Sequence, residues 1–247
     1  MNVYPHDTVV PFKNSTQNKS VQVEAMFDRI AFKYDFLNRF LSVGIDRHWR
    51  KRAIMLLKKD APQHILDVAT GTGDLAITAL KMLHPAKITG IDISEGMLEI
   101  GRKKIEKNNY TGKIELLNGD SEAILFPDNT FDAVTVGFGV RNFEHLEKGL
   151  SEIMRVLKPG GKLVIAECTK PSTPVVKGFY NFYMKYITQG IGKMISKNGE
   201  AYEYLNNSVT KFPEKEEFIH ILNQLDYRNA FYKTLTLGIC TIYCAEK

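Results

Sequence analysis

The sequence predicts an α/β fold: a mostly parallel sheet with helices packed on both faces. Three observations predict it. From Ile65 onward short apolar runs alternate with helical patterns, the rhythm of parallel strands joined by crossover helices. The first run passes straight into a glycine turn, Gly71-Thr72-Gly73, which suits a strand-to-helix connection where a ligand approaches the backbone. The last two runs, about Asn229–Leu237 and Ile239–Ala245, are joined so tightly around Gly238 that they pair antiparallel.

In chain order, residues 1–18 are polar and read as a flexible tail, and residues 19–60 as an N-terminal helical cap ahead of the sheet. Ile65–Val68 is the first strand and Leu75–Leu83 the helix behind it. Lys87–Ile93 is the second strand, after which Ser94 caps a helix reaching about Lys107. Ile114–Leu117 is a short third strand, and Phe131–Val136 the fourth, entered through the turn-rich Phe126-Pro127-Asp128-Asn129. A helix from about Glu144 to Leu157 stops at Lys158-Pro159-Gly160-Gly161, and Lys162–Glu167 is strand five. Residues 170–212 break the rhythm with an aromatic-rich helical insertion. A helix after Pro213 then leads to the terminal hairpin. Residues 19–247 are expected to form a single domain.

Bulk properties exclude several classes. Across 247 residues, 44% hydrophobic and 25% charged content is ordinary for a globular domain, and no apolar run approaches the ~20 residues of a membrane span. Met1–Ser20 lacks the apolar core of a secretory signal, so a cytoplasmic location is expected. The three cysteines, Cys168, Cys240 and Cys244, show no metal-ligand spacing, so no metal is expected and they read as small buried hydrophobes. A net charge of +5 is mild and comes with no nucleic-acid motif, so nucleic acid is not an expected partner.

The segment Leu66-Asp67-Val68-Ala69-Thr70-Gly71-Thr72-Gly73-Asp74, followed about 20 positions later by Asp92, is how a Rossmann-like sheet holds an adenosine: a carboxylate closing strand two accepts from both ribose hydroxyls. The turn alone is ambiguous, because Gly71-Thr72-Gly73-Asp74-Leu75-Ala76 also fits the G-x-G-x-x-G/A dinucleotide pattern. Ligands of such sheets sit beyond the carboxyl ends of the strands, which nominates Gly71 and Thr72 for the methionine part of S-adenosylmethionine and Asp92 for its ribose. After strand three, Asn118-Gly119-Asp120-Ser121 offers the Asp120 carboxylate to the adenine amine and the Ser121 N–H to a ring nitrogen. Asp67 and Asp74 read as residues that order the loop. The Asn118–Ser121 segment and the terminal hairpin favour S-adenosylmethionine over a nicotinamide. The whole resembles the class I methyltransferase sheet, which implies seven strands in the order 3-2-1-4-5-7-6 with strand 7 antiparallel.

Three further stretches are more specific: Tyr34-Asp35-Phe36-Leu37-Asn38-Arg39-Phe40-Leu41-Ser42-Val43-Gly44-Ile45-Asp46-Arg47-His48-Trp49, Phe138-Gly139-Val140-Arg141-Asn142, and Arg155 through Thr169 with Lys158-Pro159-Gly160-Gly161 inside it. With these, residues ~24–247 resemble the ubiquinone/menaquinone biosynthesis C-methyltransferases. The resemblance implies that Thr72, Asp92, Asp120 and Ser121 contact S-adenosylmethionine. It also implies carbon methylation of a demethylated isoprenoid quinol, demethylmenaquinol to menaquinol first, with ubiquinone biosynthesis or another apolar acceptor (sterol, lipid) as alternatives. A nicotinamide-dependent oxidoreductase is the alternative from a different class. Three positions depart from the family pattern: Asp46 where a histidine is common, Thr169 where a serine is common, and Gly137 in place of a serine near the cofactor.

Arg141 and Asn142 follow strand four, where the methyl group should emerge, and are the candidate catalytic pair. The arginine would stabilise a developing phenolate and the asparagine would orient its hydroxyl; pairing of Arg141 with a loop carboxylate such as Glu144 is the structural alternative. Tyr34 is either a substrate-facing or a core residue, His48 a surface or packing residue, and Trp49 core. Phe179, Phe182, Tyr183 and Tyr186 share one helical face of the insertion, as a core stripe or as a lid over a polyprenyl tail. An isoprenoid quinol implies transient contact with a membrane surface, at the inner face of the cytoplasmic membrane, with Lys177, Lys185, Lys193 and Lys197 placed to assist. A homodimer is left open.

Overall fold

The computed structural model describes residues 2–171, 178 and 200–247. The stripe at 179–186 and the lysines at 177, 185, 193 and 197 lie outside the described residues.

Two helices, α1 (Lys19–Leu41) and α2 (Asp46–Ile54), precede the sheet. Then come β1 (His64–Val68), α3 (Asp74–Leu83), β2 (Lys87–Asp92), α4 (Glu95–Lys107), β3 (Ile114–Asn118), β4 (Phe131–Gly137), a 3-10 turn (Val140–Asn142), α5 (Leu146–Val156) and β5 (Leu157–Cys168). Helices α6 (Glu200–Lys211) and α7 (Glu216–Gln224) lead to β6 (Arg228–Leu235) and β7 (Cys240–Glu246). The sheet order is β3-β2-β1-β4-β5-β7-β6, parallel from β3 to β5, with β7 antiparallel to both neighbours. No described helix is long and apolar enough to cross a membrane.

Successive residues of a strand point to opposite faces, so each buried strand feeds two cores. Leu66, Val134 and Ile165 join Leu150, Ile153, Phe218 and Leu222 from α5 and α7 on one face. Ile65, Ala133 and Val164 join Ile54, Ala76, Ala79 and Leu98 from α2, α3 and α4 on the other. Cys240 and Cys244 are buried and free, as alternation on one strand requires. Trp49 is core, its indole N–H donating to Thr236 Oγ1 at 2.8 Å, while His48 is exposed.

Some boundaries move for local reasons. Helix α5 starts at Leu146 rather than near Glu144, because Glu122 accepts both the main-chain N–H (2.6 Å) and ring Nδ1 (2.9 Å) of His145 and holds it extended. Strand β5 begins at Leu157, ahead of the Pro-Gly-Gly stop, because Leu157 pairs with Phe131 before the register shifts. The departures noted in the sequence are absorbed structurally. Asp46 is an ion-pair partner of Arg50 and accepts from Ser42 Oγ at 2.8 Å. Thr169 Oγ1 lies 2.9 Å from Gly238 O and 2.8 Å from Thr241 Oγ1. A Cβ at Gly137 would stand 3.0 Å from Leu75 Cδ2, so a serine there would crowd α3.

The N-terminal segment corrects an expectation. Residues 2–18 are not a loose tail: Asn2 donates twice to Glu147 (3.0 and 2.8 Å), Tyr4 Oη donates to the same carboxylate (2.8 Å), and His6 is fully buried. A polar segment can be fixed by hydrogen bonds to a distant helix, which composition does not reveal. Burial drives the His6 pKa down to about 3, so it is neutral near pH 7. Deleting residues 2–12 should cost about 3 kcal/mol of stability, from lost hydrogen bonds and Lys19 left without one acceptor, measured by urea denaturation.

Candidate active site

The carboxyl ends of β1, β2, β3 and β4 open on a cleft whose empty space, open mouth included, is about 670 Å³. Gly71, Asp92, Asp120, Ser121 and Asn142 line it together, with Ser20, Val23, Phe27 and Tyr34 of α1 closing one side. Thr72 and Arg141, also expected here, are not among the lining residues.

The floor comes from backbone in unusual conformations. Ala69 (φ 52°) and Phe138 (φ 61°), at the ends of β1 and β4, both adopt left-handed backbone, which costs a residue bearing a Cβ roughly 1–2 kcal/mol. Such strain gathers at functional sites. The two loops meet at Gly139, where an added Cβ would lie 2.5 Å from Ala69 Cβ, so only glycine fits. Below them Asp67 is buried, accepting from Thr135 Oγ1 (2.6 Å) and Thr70 Oγ1 (2.7 Å). It orders the loop, as read from the sequence.

Asp92 Oδ2 accepts the Gly71 N–H at 2.8 Å and Oδ1 the Ser94 N–H at 2.9 Å. Each oxygen keeps further acceptor capacity, enough for two vicinal hydroxyls. Burial raises the Asp92 carboxyl from 3.8 to about 6, more than those N–H donors pull it down. Asp120 Oδ1 accepts the Glu122 N–H at 2.8 Å, fixing its carboxylate while leaving acceptor capacity for an amine.

The Thr72 hydroxyl has its partners beside the glycine loop. It donates to Asp35 at 2.6 Å and accepts from Lys104 Nζ at 2.8 Å, and Lys104 also pairs with Asp74 at 2.7 Å and Asp35 at 2.6 Å. The glycine loop is therefore ringed by Asp35, Asp74 and Asp92 against a single lysine of that network. A pyrophosphate would be repelled there, whereas a cofactor carrying an ammonium and a sulfonium would be drawn in.

Arg141 is buried beneath the 3-10 turn. Its Nη1 donates to Phe138 O at 2.6 Å and pairs with Glu167 at the end of β5, not with Glu144, which accepts from Ser20 N at 3.2 Å. Burial works against its charge, but the Glu167 carboxylate holds it protonated. Lys19, also buried, donates to Phe143 O (2.8 Å), Arg141 O (3.4 Å) and His6 O (2.9 Å), so the N-terminal segment and α1 both grip the turn that carries Asn142. Asn142 Oδ1 accepts from Tyr204 Oη of α6 at 3.0 Å, and burial keeps that phenol protonated.

The sequence did not single out Phe27, Tyr204 or Lys19. Phe27 and Tyr204 had only helical periodicity as a signal, and Lys19 none, since a lysine beside a polar segment reads as solvated.

A sheet in this order with this cleft defines a class I S-adenosylmethionine-dependent methyltransferase fold. A Thermotoga maritima SAM-dependent methyltransferase shares it at a TM-score of 0.63 and 19% identity, covering 91% of this chain and 99% of its own. The model of the ubiE/COQ5 methyltransferase family matches residues 15–247, and the chain belongs to that family. It is 47% identical over 99% of both chains to a Bacteroides fragilis protein named demethylmenaquinone methyltransferase. It is 44% identical, over 93% of this chain and 90% of the relative, to a Geobacter sulfurreducens ubiquinone/menaquinone biosynthesis C-methyltransferase. The protein is an S-adenosylmethionine-dependent methyltransferase, and the oxidoreductase alternative falls with the family assignment.

If Asp92 holds the ribose as a carboxylate, affinity must follow its protonation. Its folded pKa lies above the ordinary 3.8, so the charged form is present above about 6 and is lost as pH falls through that value. S-adenosylhomocysteine affinity should weaken about tenfold per pH unit below ~6, with proton release on binding near that pH, measured by calorimetry in buffers of different ionisation enthalpy. A flat profile from pH 5 to 8 would contradict the role. The stability contribution runs the other way: Asp67 and Asp92, both raised to about 6, favour the ligand-free fold below ~4 and lose that contribution as pH rises through ~6.

Proposed function

We propose that the protein transfers a methyl group from S-adenosylmethionine to a ring carbon of demethylmenaquinol, giving menaquinol. The observation carrying this reading is one cleft with two chemistries: acceptors matched to an adenosine at Asp92 and Asp120, and an apolar wall of Phe27, Phe138 and Phe143 beside Asn142. The naphthoquinol acceptor is supported by the name of the Bacteroides fragilis relative. The name of the Geobacter sulfurreducens relative favours a second reading, a benzoquinol of ubiquinone biosynthesis.

When bound, S-adenosylmethionine supplies a methyl group on a positive sulfur, and transfer leaves S-adenosylhomocysteine. Asp92 would accept from the ribose hydroxyls, Asp120 from the adenine amine, and the Ser121 N–H would donate to the ring. The acceptor must be the reduced quinol, whose hydroxyl, losing its proton, pushes electron density onto the adjacent ring carbon. The new bond forms at that carbon, which then gives up its own proton to restore aromaticity.

The phenolate role first assigned to Arg141 passes to Asn142. Arg141 is committed to Glu167 and Phe138 O, whereas Tyr204 occupies the Asn142 carbonyl and leaves the amide NH₂ to donate to the ring oxygen. Arg141 then acts as a positioning residue for the turn. Quinone profiling of a strain lacking the protein tests the substrate: demethylmenaquinone should accumulate, and accumulation of a demethylated benzoquinone would favour the second reading.

A further inference from the structure

Helix α1 closes the cleft with one face and presents a very different one outward. Phe32, Phe36 and Phe40 recur every fourth residue, and Arg29, Lys33 and Arg39 fall within about the same third of the helix circumference. Phe32 is 78% exposed, Phe36 61%, and Val43, just beyond the helix, 75%. The rings of Phe36 and Phe40 stack at 6.1 Å, and the Lys33 ammonium lies 5.1 Å from the Phe32 ring. Nearby acids are occupied: Asp28 accepts from Ser94 Oγ and Gly96 N, Asp35 from Thr72, and Asp46 pairs with Arg50. Arg29, Arg39 and Arg47 are exposed, so the apolar stripe has a basic border.

We propose that this face of α1 docks on an anionic lipid surface, the Phe32 and Phe36 rings entering the interface and its arginines meeting lipid phosphates. Aromatics interleaved with basic residues on one helical face suit that boundary. A second copy of the chain fits worse, because self-pairing would set arginine against arginine. The inference rests on the isoprenoid quinol reading for its purpose: the opposite face of α1, with Val23, Phe27 and Tyr34, lines the cleft, so one helix would join bilayer and active site.

Cosedimentation of the full-length protein with phosphatidylcholine vesicles, with and without phosphatidylglycerol, tests it. Binding should require the anionic lipid. It should fall at least about tenfold in the double variant Phe32→Ser with Phe36→Ser, and in Arg29→Glu with Arg39→Glu. Both should keep the parent melting temperature, S-adenosylhomocysteine affinity and turnover of a short-tailed quinol in solution, and lose turnover of a long-tailed quinol held in vesicles. Parent-like vesicle binding by both variants would overturn the proposal. So would a lower melting temperature in the serine variant, which would mean the chain covers the stripe itself, or a dimer-to-monomer shift, which would assign it to a second copy. Vesicle binding that depends on these residues, with no quinol methylated, would support the docking face while contradicting the substrate.

Discussion

Asp92→Ala should weaken S-adenosylhomocysteine binding by about 10²- to 10⁴-fold. Hydrogen bonds to a charged group are worth ~1.5–3 kcal/mol each, and the role proposed for this carboxylate is to accept two from a ribose. The substitution also frees the Gly71 and Ser94 N–H groups that Asp92 now holds, so the glycine loop loses its tie to β2. Asp92→Asn should lose less, since its carbonyl can still accept one hydroxyl, and it should abolish the pH dependence near 6. Titration calorimetry checks both. Affinity within twofold of the parent in the alanine variant would remove Asp92 from the site.

Asn142→Ala should lower turnover by about 10²- to 10³-fold, the cost of removing a donor aimed at a developing oxyanion, while S-adenosylhomocysteine affinity stays within a few-fold. Arg141→Ala should behave differently. It strands the fully buried Glu167, and breaking a buried pair on one side costs about 3–5 kcal/mol, so stability and turnover should fall together. Single-turnover kinetics and chemical denaturation on the same preparations separate the two roles. An Arg141 variant that is fully stable but inactive would return the phenolate role to the arginine.

The residues differ in how far the sequence alone reveals them. That Gly71, Asp92, Asp120 and Ser121 come together at one cleft was legible because strand periodicity places strand ends, and the strand ends of a doubly wound sheet share one edge. The antiparallel pairing of β6 and β7 was legible in the tight turn at Gly238, whereas the order of the whole sheet followed only from the resemblance to the class I methyltransferase sheet. Thr72 and Arg141 do not line that cleft, because spacing gives a residue's loop but not its side-chain direction. Thr72 turns toward Asp35 of α1, and Arg141 toward Glu167 on the neighbouring strand, both partners distant in sequence. Lys19 and the packed N-terminal segment were hidden for the same reason: their partners, Phe143 and Glu147, lie more than a hundred residues away.

The most direct test of the account is methylation by the purified protein. With S-adenosylmethionine and a short-tailed demethylmenaquinone held reduced by dithionite, mass spectrometry and NMR should find one methyl on the ring carbon for each S-adenosylhomocysteine released, and almost none when the quinone stays oxidised. Methylation on oxygen, or equal rates with the oxidised quinone, would contradict it.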